Sequence, residues 1–171
     1  MRVFVSLGLV SLVSLVAVGC GGDDTAAPQV QIRPLTAECA PGAAPVGATP
    51  AVSTEAAFRF EFDGAMQACS AGPGMAVEPG WVSDTPTDPA VTGGVPSVVL
   101  DLPADAMAQF NTFAASCYQQ DERCPVGQIV VTLGTDVVSI ASVVVPEFEG
   151  SLQLAMADEA TVQRVTDALA N

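Results

Sequence analysis

The chain has 171 residues, room for one domain with a real core once a leader is set aside. Five arginines and no lysine stand against 19 carboxylates, a formal charge of −14, which argues against binding nucleic acid or anionic lipid through a basic patch. Histidine is absent altogether, so Ser-His-Asp and Cys-His catalysis are excluded and acid–base work at neutral pH loses its easiest group.

The chain opens with Met1-Arg2, then an almost purely apolar run from Val3 to Val18. As a helix this run spans about 24 Å, short of the roughly 30 Å of a bilayer core and right for the apolar region of a signal peptide. It ends in Ala17-Val18-Gly19-Cys20. This segment resembles the signal peptide of a bacterial lipoprotein, with Cys20 in the acceptor position. The usual leucine three residues before the cysteine is replaced by Ala17. The resemblance implies that residues 1–19 are removed and that Cys20 becomes the N-terminus, carrying a diacylglyceryl thioether and an amide-linked acyl chain. Two or more acyl chains anchor stably where one does so only marginally. The implied partner is therefore the lipid bilayer. Gly21 is not the aspartate that holds some such proteins in the inner membrane, so the expected address is the outer membrane, facing the periplasm or the cell surface. Past residue 19, four arginines remain against all 19 carboxylates, a side-chain balance of −15.

Residues 20–28 are small and polar, the composition of a flexible tether, and a single domain follows over 29–171. Val30 to Arg33 alternates as a first edge strand stopped by Pro34. Residues 40–50 are a loop. Phe58-Arg59-Phe60-Glu61-Phe62-Asp63 is the clearest strand, with three aromatics on one face and three charges on the other. Residues 70–94 hold Gly-Pro-Gly, Pro-Gly-Trp and Thr-Pro-Thr-Asp-Pro, and read as a long loop. Ser97 to Leu102 is a buried strand. A helix over about 103–118 follows, with Met107, Phe110, Ala114 and Cys117 inward and Asp105, Gln109, Thr112 and Ser116 outward. Gln128–Leu133 and Asp136–Val145 flank Gly134-Thr135 as a hairpin ended by Pro146. Ser151 to Met156 is a last strand. Asp158 caps a closing helix to about residue 170, with Val162, Val165 and Leu169 inward. The fold class expected is α+β, an antiparallel sheet with both helices on one face; the alternative is a β-sandwich with peripheral helices.

Cys39, Cys69, Cys117 and Cys124 form an even set in an exported chain and imply two disulfides, with three pairings open. A helix ending near Cys117 that turns back favours Cys117–Cys124, and Cys39–Cys69 follows by elimination. The spacings hold no Cys-x-x-Cys knuckle for zinc. Chemistry by paired carboxylates has candidates in Glu61 with Asp63 and Glu147 with Glu149, all weighed against ordinary solvated faces. Asp84 and Asp88 form an oxygen-rich loop of the kind that takes calcium, with a further acidic pair, Asp121-Glu122, far off in sequence; neither amounts to a metal site. Trp81 is a candidate contact residue, against the commoner outcome of an aromatic folded back onto the core. No cofactor is implied. The expected function is that of a membrane-anchored lipoprotein acting as a non-catalytic binding or structural module. The alternative is an exported carboxylate-dependent hydrolase, with or without bound calcium.

Overall fold

The computed structural model describes residues 28–42, 49–83 and 94–170. The strands are β1 (Val30–Pro34), β2 (Ala40–Pro41), β3 (Ala56–Phe62), β4 (Ala65–Ala71), β5 (Met75–Ala76), β6 (Ser97–Leu100), β7 (Gln128–Leu133), β8 (Asp136–Ser142) and β9 (Leu152–Ala155). The helices are α1 (Ala104–Gln119) and α2 (Glu159–Leu169). The fold is α+β. Seven strands form one sheet in the order β2-β4-β3-β8-β7-β1-β5, antiparallel throughout except for β3 beside β8. The remaining pair, β6 and β9, forms a small antiparallel sheet of its own.

Both helices lie on one face of the large sheet. Val30 and Ile32 of β1 and Ile129, Val131 and Leu133 of β7 pack with Phe110, Phe113 and Ala114 of α1 and with Val165 and Leu169 of α2. The small sheet joins the same cluster through Val98, Leu100, Leu152 and Leu154. Phe110 stacks edge-on against Phe113 and Phe148, with centroids 5.1 and 5.2 Å apart. Asp158 caps α2 as expected, its side chain accepting from the Thr161 N–H at 2.7 Å. Ser116 departs from the expected outward face of α1. It is buried, because its hydroxyl donates to Asp121 Oδ2 at 2.5 Å and ties the helix end to the turn beyond it. The same turn brings Cys124 back to Cys117, and the two form a disulfide; the second joins Cys39 to Cys69.

The other face of the sheet curls around a second cluster of Leu35, Phe58, Cys69, Ala71 and Val130. Two sequence expectations fail here and one strand the pattern did not mark appears, for one topological reason. β1 is not an edge strand: β7 pairs with it on one side and β5 on the other, and Pro34 lies within it. Ala65–Ala71 is a strand that the alanine-rich sequence conceals. It forms because Asp63 and Gly64 both take positive φ (50° and 72°) and turn the chain back along β3, the geometry a two-residue hairpin demands. Finally, residues 70–94 are not one long loop. Ala71 bridges Leu35, then Met75 pairs with Ile32, so a single path runs antiparallel to β1 and curls the sheet back on itself. Gly72-Pro73-Gly74 is the irregularity in that path. A Cβ on Gly74 would lie 2.1 Å from the Ile32 carbonyl oxygen, so only glycine fits. Val82 then bridges Leu100, extending the small sheet. Ser97–Leu102, Asp136–Val145 and Ser151–Met156 are each shortened, to Ser97–Leu100, Asp136–Ser142 and Leu152–Ala155.

Inside the curl sits a charged group with no counter-ion among the described residues. Arg33 is fully buried, and its five N–H donors all have partners. Nε donates to Gln31 Oε1 at 2.8 Å, Nη1 to the carbonyls of Thr54 and Gly72 at 2.6 and 3.0 Å, and Nη2 to those of Ala51 and Pro50 at 2.7 and 3.3 Å. Its guanidinium carbon lies 5.4 Å from the Phe58 ring centroid. Burial pushes its pKa below the ordinary arginine value. Arg33 thereby joins β1 to residues 50–54 and to the Gly-Pro-Gly turn.

Candidate functional site

β3 and β8 are neighbours for only one residue pair, Arg59 with Asp136. Past that pair the strands part, and the space between them is a groove of about 630 Å³. Phe60, Glu61 and Phe62 line one bank, Val138 and Ile140 the other, and Ala157 and Arg164 close it from the side of α2. The alternation of β3 explains the chemistry of its bank. Phe58 is fully buried, Phe60 is half-buried as the strand leaves the core, and Phe62 is 60% exposed. The three aromatics expected on one buried face thus form a gradient from core to solvent. Met66 of β4, 43% exposed, adds to the apolar lip.

At the other end of the groove Asp136 is shared by two cations. Arg59 Nε lies 3.9 Å from Oδ1, and Arg164 Nη2 lies 3.4 Å from Oδ2. Both pairs are half-exposed and contribute little stability by themselves. Their weight is local: Arg33 is buried in the curl, so among the described residues two of the three arginines left outside it meet at this one groove of a strongly acidic domain. Apolar lip and guanidinium end together suit an amphipathic ligand.

The carboxylate pairs have a plainer setting. Glu61 and Asp63 are both exposed, Glu61 on the groove and Asp63 in the hairpin turn. Glu147 and Glu149 are also exposed, beside a second open groove between α1 and residues 147–150. That groove is held by Asn111, which pairs with the Phe148 backbone in the manner of a strand, accepting from its N–H at 2.9 Å and donating to its carbonyl at 3.0 Å. Trp81 is half-buried and packs on the main core, with its backbone carbonyl accepting from Asp101; it is a core cover. Asp121 is engaged by Ser116 and Arg123. Asp84, Asp88 and Cys20 lie outside the described residues. Among the described residues no three acidic or cysteine side chains come together as metal ligands.

Three carboxylates away from the groove are held below the usual carboxylate range: Asp101 by the Ser151 and Ser83 hydroxyls, Asp121 by Ser116 and the Arg123 N–H, and Asp158 by Thr161. A carboxylate whose folded pKa is depressed adds stability above its unfolded pKa, and that stability is lost as pH falls through the folded one. Asp158→Ala should therefore lower the urea midpoint near neutral pH. Its deficit against the wild type should close on acidification below the ordinary carboxylate pKa of about 3.9. Paired urea titrations down the pH scale check this, and a deficit independent of pH would contradict it.

Sequence reasoning singled out Glu61 as one of a carboxylate pair; the structure places it on the groove together with Asp136 and Arg164, which no sequence motif marks. Compared with protein-family models, with curated proteins and with solved structures, the chain matches none.

Proposed function

We propose that the chain is an exported lipoprotein, held at the cell envelope by acyl chains on Cys20, whose domain is a non-catalytic binding module acting through the groove between β3 and β8. The observation that carries the binding role is the meeting of exposed Phe62 and Met66 with Arg59 and Arg164 around one opening. Exposed apolar side chains beside ion-pairing groups are the makings of a contact surface. The anchoring role rests on Ala17-Val18-Gly19-Cys20 behind its apolar run, and two disulfides suit an oxidising compartment. Among the described residues no helix is long and apolar enough to cross a membrane.

Mass spectrometry of the mature protein should find residue 20 first and lipid-modified, and Cys20→Ala should stay at precursor size. A mature chain starting elsewhere, or free of lipid, removes the anchor. Density-gradient fractionation should place the protein with outer-membrane markers. The binding role is tested by placing photoreactive benzoylphenylalanine at position 62 in intact membranes. A discrete cross-linked product is expected, and its absence there, with its presence at a surface site far from the groove, would remove the assignment.

A further inference from the structure

The groove is bounded by main chain as well as side chains. In a two-residue hairpin the residues flanking the turn exchange hydrogen bonds, and every second residue turns its N–H and C=O the other way. Phe62 and Ala65 flank the turn of β3 and β4, so Phe60 and Phe58 bond toward β4 while Arg59 and Glu61 direct their backbone groups toward β8. Arg59 uses its position: its N–H donates to the Thr135 carbonyl at 3.3 Å, and it is the one residue of β3 paired with β8. Glu61 has no paired residue on β8, although β8 runs on to Ser142. An open strand edge of this kind is a template for another strand, and peptide-binding domains use it to gain affinity from main-chain bonds and specificity from alternate side chains.

We propose that the groove takes up an extended segment of another polypeptide as a strand added to β3, a segment carrying an apolar side chain for Phe62 and a carboxylate for Arg59 and Arg164. This rests on the binding role assigned above and specifies its partner. The carboxylate follows from the donor balance at Asp136. Arg59 reaches it only at 3.9 Å, beyond hydrogen-bond range, and Arg164 through one contact at 3.4 Å. Among the described residues most of the N–H donors of the two guanidiniums make no hydrogen bond, and a second carboxylate is the acceptor that matches their planar fork best. The spacing follows from β3 itself. Arg59 and Phe62 stand three residues apart and on opposite faces, about 10 Å along a strand. A paired segment therefore needs its carboxylate and its apolar side chain three residues apart.

The probe is acetyl-Leu-Thr-Val-Glu-Val-Thr-Leu-amide, which offers that spacing in either chain direction, added to the full mature protein. Amide hydrogen exchange should slow at Glu61 and along β8, by about tenfold near saturation in the submillimolar range. Two N-methylated forms, each blocking one alternating set of N–H groups, separate strand pairing from apolar adhesion: one must lose binding. Replacing the peptide glutamate by glutamine should weaken binding several-fold in the wild type and have no further effect in Arg59→Ala/Arg164→Ala. No added protection at about 1 mM peptide, or equal binding by both N-methylated forms, overturns the proposal. The cross-link at position 62 reads a different claim. A cross-linked partner with a silent peptide keeps the binding module and removes strand addition as its mode, whereas loss of both removes the groove itself.

Discussion

Arg33→Met should destabilise the domain by about 3 to 5 kcal/mol, the range found when one side of a buried charge network is removed. Methionine follows the same path through the core but donates nothing. The carbonyls of Thr54 and Gly72 and the amide oxygen of Gln31 would lose the guanidinium's bonds at once, whereas Pro50 keeps the Gln31 amide and Ala51 the Thr54 N–H and hydroxyl as donors. Each such buried acceptor costs about 1 to 3 kcal/mol where water cannot replace the bond, and partial access of water to the 50–54 segment holds the total below the sum. Against a typical stability of about 5 to 15 kcal/mol, the variant should be barely folded at body temperature. Arg33→Lys should restore only part of the loss, because an ammonium has three donors where five are used. Urea unfolding of both variants measures this. If lysine proves equivalent to arginine, charge and not the fork of donors is what the site needs.

Removing the bond between Cys39 and Cys69 should come next in size. It closes a loop with a sequence separation of 30, against 7 for Cys117 and Cys124. Loop-closure entropy then assigns about 3 to 4 kcal/mol to the long bridge and about 2 to 3 kcal/mol to the short one. Cys69 is also part of the cluster inside the curl, so Cys39→Ala/Cys69→Ala adds a small cavity there. Cys117→Ala/Cys124→Ala should be the milder variant. The short bridge only reinforces a turn already held by Ser116 and Asp121, whereas the long one ties β2 and the segment before it to β4. Melting temperatures of the two double variants, compared with the protein under reductant, check the order; equal losses would show that the loop argument does not govern this domain.

Local pattern made much of this fold readable. Both helices announce themselves by apolar spacing, α2 also by its Asp158 cap, and Gly134-Thr135 between two β-branched runs marks the hairpin of β7 and β8. Where the fold departs from the reading, distant partners override local preference. Ala65 to Ala71 has little strand propensity and is a strand because β3 lies beside it. Asp63-Gly64 was the available signal, a dipeptide well suited to the tightest hairpin turns. Alternation marks Ser97–Leu100 and Leu152–Ala155 as strands but does not say that they pair with each other and not with the large sheet. Arg33 reads from sequence as the polar position of an edge strand, and only the curl of the sheet buries it. The groove is the least legible feature, since it exists where two strands far apart in sequence meet at one residue pair and then part.

The position of β1 also sets a schedule for folding. Val30 pairs with Leu133 and Pro34 with Ile129, so the first strand made must wait for partners about a hundred residues behind it. Such high contact order makes for slow closure. The hairpins β3–β4 and β7–β8 are local, and β5 and residues 50–54 can reach Ile32 and Arg33 early, but β7, which pairs with the whole length of β1, begins only at Gln128. The large sheet therefore stays in two halves until the last third of the chain arrives, and its middle is the last part to close.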